Sequence, residues 1–279
     1  MSDHPIIRRP ATGTPHVPVV LSIPHFGVDP FPGITEGDYA DRLYRSFRYG
    51  YADAYAAELY GDMHEAGATV VATRISRLFL DLNRNREDFE ITDGEVRSNR
   101  GVFRTHTIHD NRVLQEPLAP GQAERWLSEF YDPYYAAVER VATDMHAESG
   151  YATVIDGHTG SPRRLKAHDV VLGTGRGKYC TAEFAQAVQA LFHDHGFNCT
   201  LDLRGYAGGA VVRRFGRPDG FPRAIQIEVN AGLIMRCTRR AYAESLRFGL
   251  QPAYDPEVLI ALADTVRDVI RFAGSPEAL

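Results

Sequence analysis

Four short segments carry the residues most able to do chemistry. VVLSIPHFG sets His25 directly after an apolar run, and LFLDLNR sets Asp81, Asn83 and Arg84 at the end of another. ATVIDGHTG contributes Asp156 and His158, and AIQIEVN contributes Glu228 and Asn230. Imidazoles and carboxylates ligate metals and move protons, and a guanidinium binds anions. Gathered at like strand ends, these groups would form one site. Each also has a plainer reading. A single histidine after a strand often only makes a hydrogen bond, and Asp156 before Gly157 suits a turn. Glu228 alternates with Ile225, Ile227 and Val229, as on a solvated strand face. Arg84 falls in the charged run RNRED.

The elements that must position these residues follow from hydrophobic spacing. Residues 17–23, 69–73, 78–82, 152–155, 169–172, 197–203 and 224–229 have strand composition. Residues 36–48, 51–65, 181–195 and 256–272 look helical. The longest helical pattern is 122–149, where Trp126, Phe130, Tyr134, Val138, Val141 and Met145 recur every three or four residues and Pro133 predicts a kink. Apolar strands alternating with helices imply an α/β fold with a mostly parallel or mixed central sheet covered by helices on both faces. In such sheets chemistry gathers at the carboxyl ends of the strands. No linker or repeat divides the chain. It reads as a single hydrolytic domain over 1–279, with 1–16 as a flexible or extended N-terminal segment.

Composition excludes several classes. With 44% hydrophobic residues, 24% charged residues and a net charge of −5, this is a globular chain without the basic stripe of a nucleic-acid-binding protein. No apolar segment reaches the length of a membrane span, and the N-terminus lacks the layout of a secretory signal. Cys180, Cys199 and Cys237 form no CxxC pair and read as reduced thiols in a cytoplasmic protein. Any metal must therefore be held by His, Asp or Glu. Lys166 and Lys178 are the only lysines, so the cations are almost all arginine, suited to carboxylate ligands. The run Gly173–Gly177 lacks a nucleotide-loop spacing and reads as an active-site turn, and Ser22 and Ser161 lack a serine-hydrolase elbow.

IPHFG, ADAYAAEL, FLDLNR, IDGHTG, DVVLG, YAGG and QIEVN occur in the order seen in N-formylglutamate amidohydrolases. The chain resembles that family from about Val17 to Met235. The family in turn is distantly similar to zinc carboxypeptidases and aspartoacylase, so a zinc-carboxypeptidase-like sheet is expected. The resemblance implies that His25 and His158 are metal ligands, with Glu228 as the catalytic carboxylate. It matches Asp53 to the third ligand, with Glu58 and Asp81 as substitutes. Phe26, Thr159 and Arg214 depart from the family pattern.

One divalent metal, Zn²⁺ by ligand type, would make hydroxide available at neutral pH. Glu228 would take the proton from the attacking water and pass it to the leaving amine. Asp156 would orient a ligand imidazole. Asn83 and Arg84 would bind a substrate carboxylate, with Arg213 and Arg104 as further cations. The expected reaction is release of formate from an N-formyl amino acid, N-formyl-L-glutamate first, as in histidine degradation. An N-acyl amino acid deacylase or small-peptide carboxypeptidase would use the same site. A non-catalytic binder of acidic metabolites would keep the ligands and lose Glu228, which is present. The partner is thus a small anionic substrate, with no nucleic acid and no membrane.

Overall fold

β-Branched and apolar residues build the sheet, and alternation divides it into two different faces. The computed structural model describes residues 4–278. Within them the strands, in chain order, are β1 (Ile6–Arg8), β2 (Val19–Ile23), β3 (Thr69–Ala72), β4 (Glu90–Thr92), β5 (Glu95–Arg97), β6 (Thr153–Gly160), β7 (Val170–Gly173), β8 (Cys199–Leu201) and β9 (Arg223–Asn230). Seven of them form one sheet in the order β1-β3-β2-β6-β9-β7-β8, and β4 and β5 form a separate hairpin. β3, β2, β6 and β9 are parallel, while β1 and β7 run antiparallel to their neighbours β3 and β9. The sheet is therefore mixed.

Successive strand residues face opposite ways. Leu21, Ile23, Ile155, Ile225 and Ile227 pack on one face against Leu59, Tyr60, Phe184 and Val266. Val20, Val71, Val154 and Ala224 pack on the other against Tyr134, Val138 and Val211. Helices thus cover both faces, as the spacing predicts. On the second face the apolar residues give way, toward the ends of the parallel strands, to Ser22, Asp156, His158, Gln226 and Glu228, all buried. That polar strip is the floor of the site.

Several elements differ from the expectation. The run 78–82 is not a strand. Leu78, Leu80 and Leu82 are buried, but the backbone turns, with Phe79 and Leu80 N–H donating to Ser76 C=O and Asp81 N–H to Val102 C=O. A short apolar run cannot tell a strand from a packed turn. The patterns 36–48 and 51–65 break into short helical turns, among them Phe47–Tyr51, Ala56–Tyr60 and Met63–Ala66. The break at 52–55 has a tertiary cause. Asp53 N–H donates to His25 C=O at 2.9 Å, and Tyr55 takes a left-handed conformation (φ 59°) that stops any continuous helix.

The long helical run begins at Pro120, and a π-helical segment, Leu127–Tyr131, precedes Asp132–Ser149. This wider turn accommodates the missing N–H of Pro133. Of the run 197–203 only Cys199–Leu201 is strand. Conversely β6 and β9 extend through Gly160 and Asn230, so His158 and Glu228 lie within strands rather than just past them.

Candidate functional site

β6 and β9 pair in register with His158 opposite Glu228 and Asp156 opposite Gln226. β2 adds Ser22 opposite Asp156, and the turn after it carries His25. The loop 52–55 brings Asp53 over the same face. Thr159 fixes that loop through its hydroxyl, which donates to Ala54 C=O at 2.7 Å, and its N–H, 3.3 Å from Asp53 Oδ2. Asp53 is therefore held by a loop, not by the helix the sequence pattern suggests.

The three side chains converge. His25 Nδ1 and His158 Nδ1 are 3.1 Å apart. Asp53 Oδ2 lies 2.9 Å from His158 Nδ1 and 3.7 Å from His25 Nδ1. All three residues are buried, and among the described residues they form the one such group able to hold a cation. Their far sides are also occupied. His25 Nε2 is 2.7 Å from Asp81 Oδ1, and His158 Nε2 is 2.9 Å from Asp156 Oδ2. A carboxylate only accepts, so His25 Nε2 carries the hydrogen and its Nδ1 presents a lone pair. His158 has a carboxylate at each nitrogen, Asp156 at Nε2 and Asp53 at Nδ1, and its Nδ1 offers a lone pair once its proton gives way to a metal. Two lone pairs and a carboxylate facing one another require a proton or a metal between them.

Tetrahedral zinc with bonds of roughly 2.0–2.2 Å has ligand atoms about 3.3–3.6 Å apart, close to the separations here. The donor set fits a divalent metal, which His25, Asp53 and His158 would hold. Without a metal, burial opposes charge on His158, but Asp156 and Asp53 outweigh it and hold the imidazole well above its ordinary pKa. Glu58 is exposed, and Asp81 faces the far side of His25, so neither joins the trio.

Glu228 is buried beside this group. Burial pushes its carboxyl up to about 7, with Asp53 and Asp156 adding to the rise and His158 and Arg77 opposing it. A carboxyl in that range exchanges protons near neutrality, as a general base must. Asp53 of the trio and Asp81 behind it are linked by a residue that sequence reasoning missed. Arg77 donates to Asp81 Oδ2 at 2.8 Å and to Asp53 Oδ1 at 3.4 Å. Burial alone would raise the Asp81 pKa, but Arg77, His25 and Arg104 hold that carboxyl well below its usual range.

A cavity of about 670 Å³ opens over these groups, and its cationic lining is Arg77, Arg84, Arg104, Arg164, Arg213 and Arg239. They differ in availability. Arg104 is tied to Asp81 at 3.1 Å and lies over the Tyr51 ring, and Arg239 donates to the carbonyls of Gly50 and Ala52. Arg84 is half exposed, 3.8 Å from Asp81. Among the described residues Arg164 and Arg213 make no ion pair. The Arg164 signal was present in the sequence, five residues beyond Thr159 in the segment that follows His158. Arg214 points elsewhere, against Tyr135 and Glu139.

Asn83 lines the cavity as expected of a substrate-facing residue, and its carboxamide also has partners within the protein: Nδ2 donates to Asp156 Oδ2 at 3.0 Å and lies 2.9 Å from His158 Nε2, and Oδ1 accepts from Val211 N–H at 3.1 Å. One expectation is corrected. The 173–177 turn does not line the cavity. Because β7 runs antiparallel to β9, that turn lies toward the other end, where Gly175 N–H supports Ala207 C=O of the loop bordering the cavity. Gly173 is required there. A Cβ would stand 2.7 Å from Gly208 N, so only glycine admits the loop onto the sheet.

Fold and site together define a mixed α/β protein with a candidate cation centre and an adjacent buried carboxylate in an arginine-lined cavity. The chain belongs to the N-formylglutamate amidohydrolase family, whose sequence profile matches residues 17–235. It is 28% identical over 229 residues to an N-formylglutamate deformylase of Pseudomonas aeruginosa, covering 76% of this chain and 80% of the relative. Likewise it is 27% identical over 244 residues to an N-formylglutamate deformylase of Pseudomonas putida, covering 82% and 86%. The fold is shared with the crystal structure of N-formylglutamate amidohydrolase from Ralstonia eutropha JMP134, at TM-score 0.80 and 17% identity over 97% of this chain and 98% of that one. A gene product of Agrobacterium tumefaciens has the same fold at TM-score 0.67 and 17% identity, over 97% and 93%.

Proposed function

We propose that the protein is a metal-dependent amidohydrolase that releases formate from an N-formyl amino acid, N-formyl-L-glutamate above all. One observation carries this reading: the His25, Asp53 and His158 donors converge beside a buried carboxylate, Glu228, on one face of the sheet. The names borne by the two Pseudomonas relatives support the choice of substrate. His25, Asp53 and His158 would hold the metal, Zn²⁺ by donor type, which supplies polarisation of the formyl carbonyl and acidification of water.

The chain's own groups account for the rest. Glu228 accepts a proton from the water that attacks the formyl carbon, then delivers it to the amine nitrogen as the C–N bond breaks. Asp156 and Asp81 hold the two imidazoles in the tautomer that frees Nδ1. Arg84 binds the α-carboxylate and Arg213 the side-chain carboxylate, with Arg104 fixing Asp81 behind them. No helix among the described residues is long and apolar enough to cross a membrane. Free Cys180, Cys199 and Cys237 accord with a reducing, cytoplasmic setting. A panel of N-formyl and N-acetyl amino acids, followed by amine release, tests the assignment. N-formyl-L-glutamate should head the panel, and absence of turnover on every member would refute it.

A further inference from the structure

Gln226 precedes Glu228 by two residues on β9 and shares its face of the sheet, opposite Asp156 of β6 and Gly173 of β7. Both side chains are buried. Gln226 Nε2 is 3.0 Å from Glu228 Oε2, the one side-chain hydrogen bond that Glu228 makes among the described residues. An ionised carboxylate only accepts, so the nitrogen end of the carboxamide must face it. That orientation leaves Gln226 Oε1 buried with no partner. An orphaned buried acceptor opposes folding, and a methionine would fill the same volume without it. Packing alone therefore does not account for glutamine at this position.

The second oxygen of Glu228 has a different environment. Oε1 makes no hydrogen bond among the described residues, Glu228 lines the cavity, and a Cβ on Gly160 would crowd Oε1 at 2.7 Å and Leu165 Cδ1 at 2.6 Å. One oxygen is held and the other is open. We propose that Gln226 is the positioning residue for the reaction: its Nε2–H fixes Glu228 Oε2 and so aims Oε1 at the water and at the departing amine. This rests on Glu228 being the base, as inferred above. Three rotatable bonds separate the carboxylate from its backbone, and among the described residues no other hydrogen bond restrains them.

The test is a double-mutant cycle on metal-replete protein. Gln226→Met keeps the side-chain length and removes the donor. Its kcat on N-formyl-L-glutamate should fall about 10–100-fold, the range for a misplaced catalytic group, with KM within about twofold by the same reasoning. Bound metal and Tm should hold. In a Glu228→Gln background the same substitution should cause no further loss, because a residue acting through Glu228 has no base left to aim. Equal losses in both backgrounds, a wild-type rate for Gln226→Met, or a fall matched by lost metal would each overturn the inference. Should Gln226→Met not fold, Gln226→Asn withdraws the amide by one methylene and should show the same kcat loss; a wild-type rate there overturns it equally. Wild-type protein inactive on every N-acyl amino acid would refute the Glu228 reading and this one with it. An active wild type with an unaffected Gln226→Met would refute this one alone.

Discussion

Replacing Arg77 by methionine removes the cation that joins Asp81, behind His25, to Asp53 of the proposed metal site. Arg77 bonds Asp81 at 2.8 Å and Asp53 at 3.4 Å, and Asp81 is fully buried. Removing one partner of a buried ion pair costs roughly 3–5 kcal/mol. The cost here lies at the lower end, about 3 kcal/mol, because His25 and Arg104 still contact Asp81 at 2.7 and 3.1 Å. At about 2–4 °C per kcal/mol for a chain approaching this size, Tm of the chelator-treated protein should drop by roughly 6–12 °C at neutral pH. The drop should also depend on pH in a defined direction. The Asp81 pKa is depressed in the folded state, with burial opposing the shift and Arg77 the largest contributor to it. Such a group stabilises above its unfolded pKa of about 3.9 and loses that contribution as pH falls through its folded value. Without Arg77 the depression is smaller, so wild type has more to lose. The gap in Tm should be full at neutral pH and narrow below about pH 4. Scanning calorimetry across that range measures it. A gap under about 2 °C at neutral pH, or one that widens on acidification, would refute the reasoning.

Three further outcomes follow from the site. His158→Ala should bind well under one equivalent of metal by elemental analysis, and full occupancy would show that the donor set is wrong. Arg84→Ala should lower kcat/KM by one to two decades, the equivalent of roughly 1.5–3 kcal/mol for a charge-assisted hydrogen bond, and Arg84→Lys should recover only part. The loss should appear with every member of the substrate panel, since Arg84 is assigned to the α-carboxylate; unchanged efficiency throughout would remove it from the site. A base at Glu228 works ionised, so kcat/KM should fall as pH drops, with an acid limb between the ordinary glutamate value of about 4.3 and about 7. A flat profile through that interval would contradict its role.

Much of this site was legible because its residues interrupt apolar runs. His25, Asp156, His158 and Glu228 stand out against the valines and isoleucines around them, and the alternation in AIQIEVN places Gln226 on the same face as Glu228. Alternation does not say what covers a face, so it assigns Gln226 no role. Asp53 could be reached through family resemblance alone. The pattern 51–65 looks helical, and what breaks it is the bond from Asp53 N–H to His25 C=O, a contact across 28 positions of chain. Arg77 was hidden because residues 74–82 turn instead of extending, which brings Arg77 and Asp81 together. Sheet order is likewise not written locally. Antiparallel β7 moves the glycine-rich turn away from the cavity, although nothing in its own residues distinguishes it from a turn at the active end. Asn83 matches its motif, and its contacts with Asp156, His158 and Val211, all distant in sequence, could not be read there.

The central claim is that three donors hold a metal beside one working carboxylate. It is tested most directly by following formate release from N-formyl-L-glutamate with three samples: chelator-stripped protein, the same protein after one equivalent of Zn²⁺, and metal-loaded Glu228→Gln. The account predicts negligible release when stripped and recovery on adding zinc. It predicts a rate lower by at least roughly 10²–10⁴-fold for Glu228→Gln with its metal still bound. Full activity in the stripped protein, or a Glu228→Gln variant as fast as wild type, would contradict it.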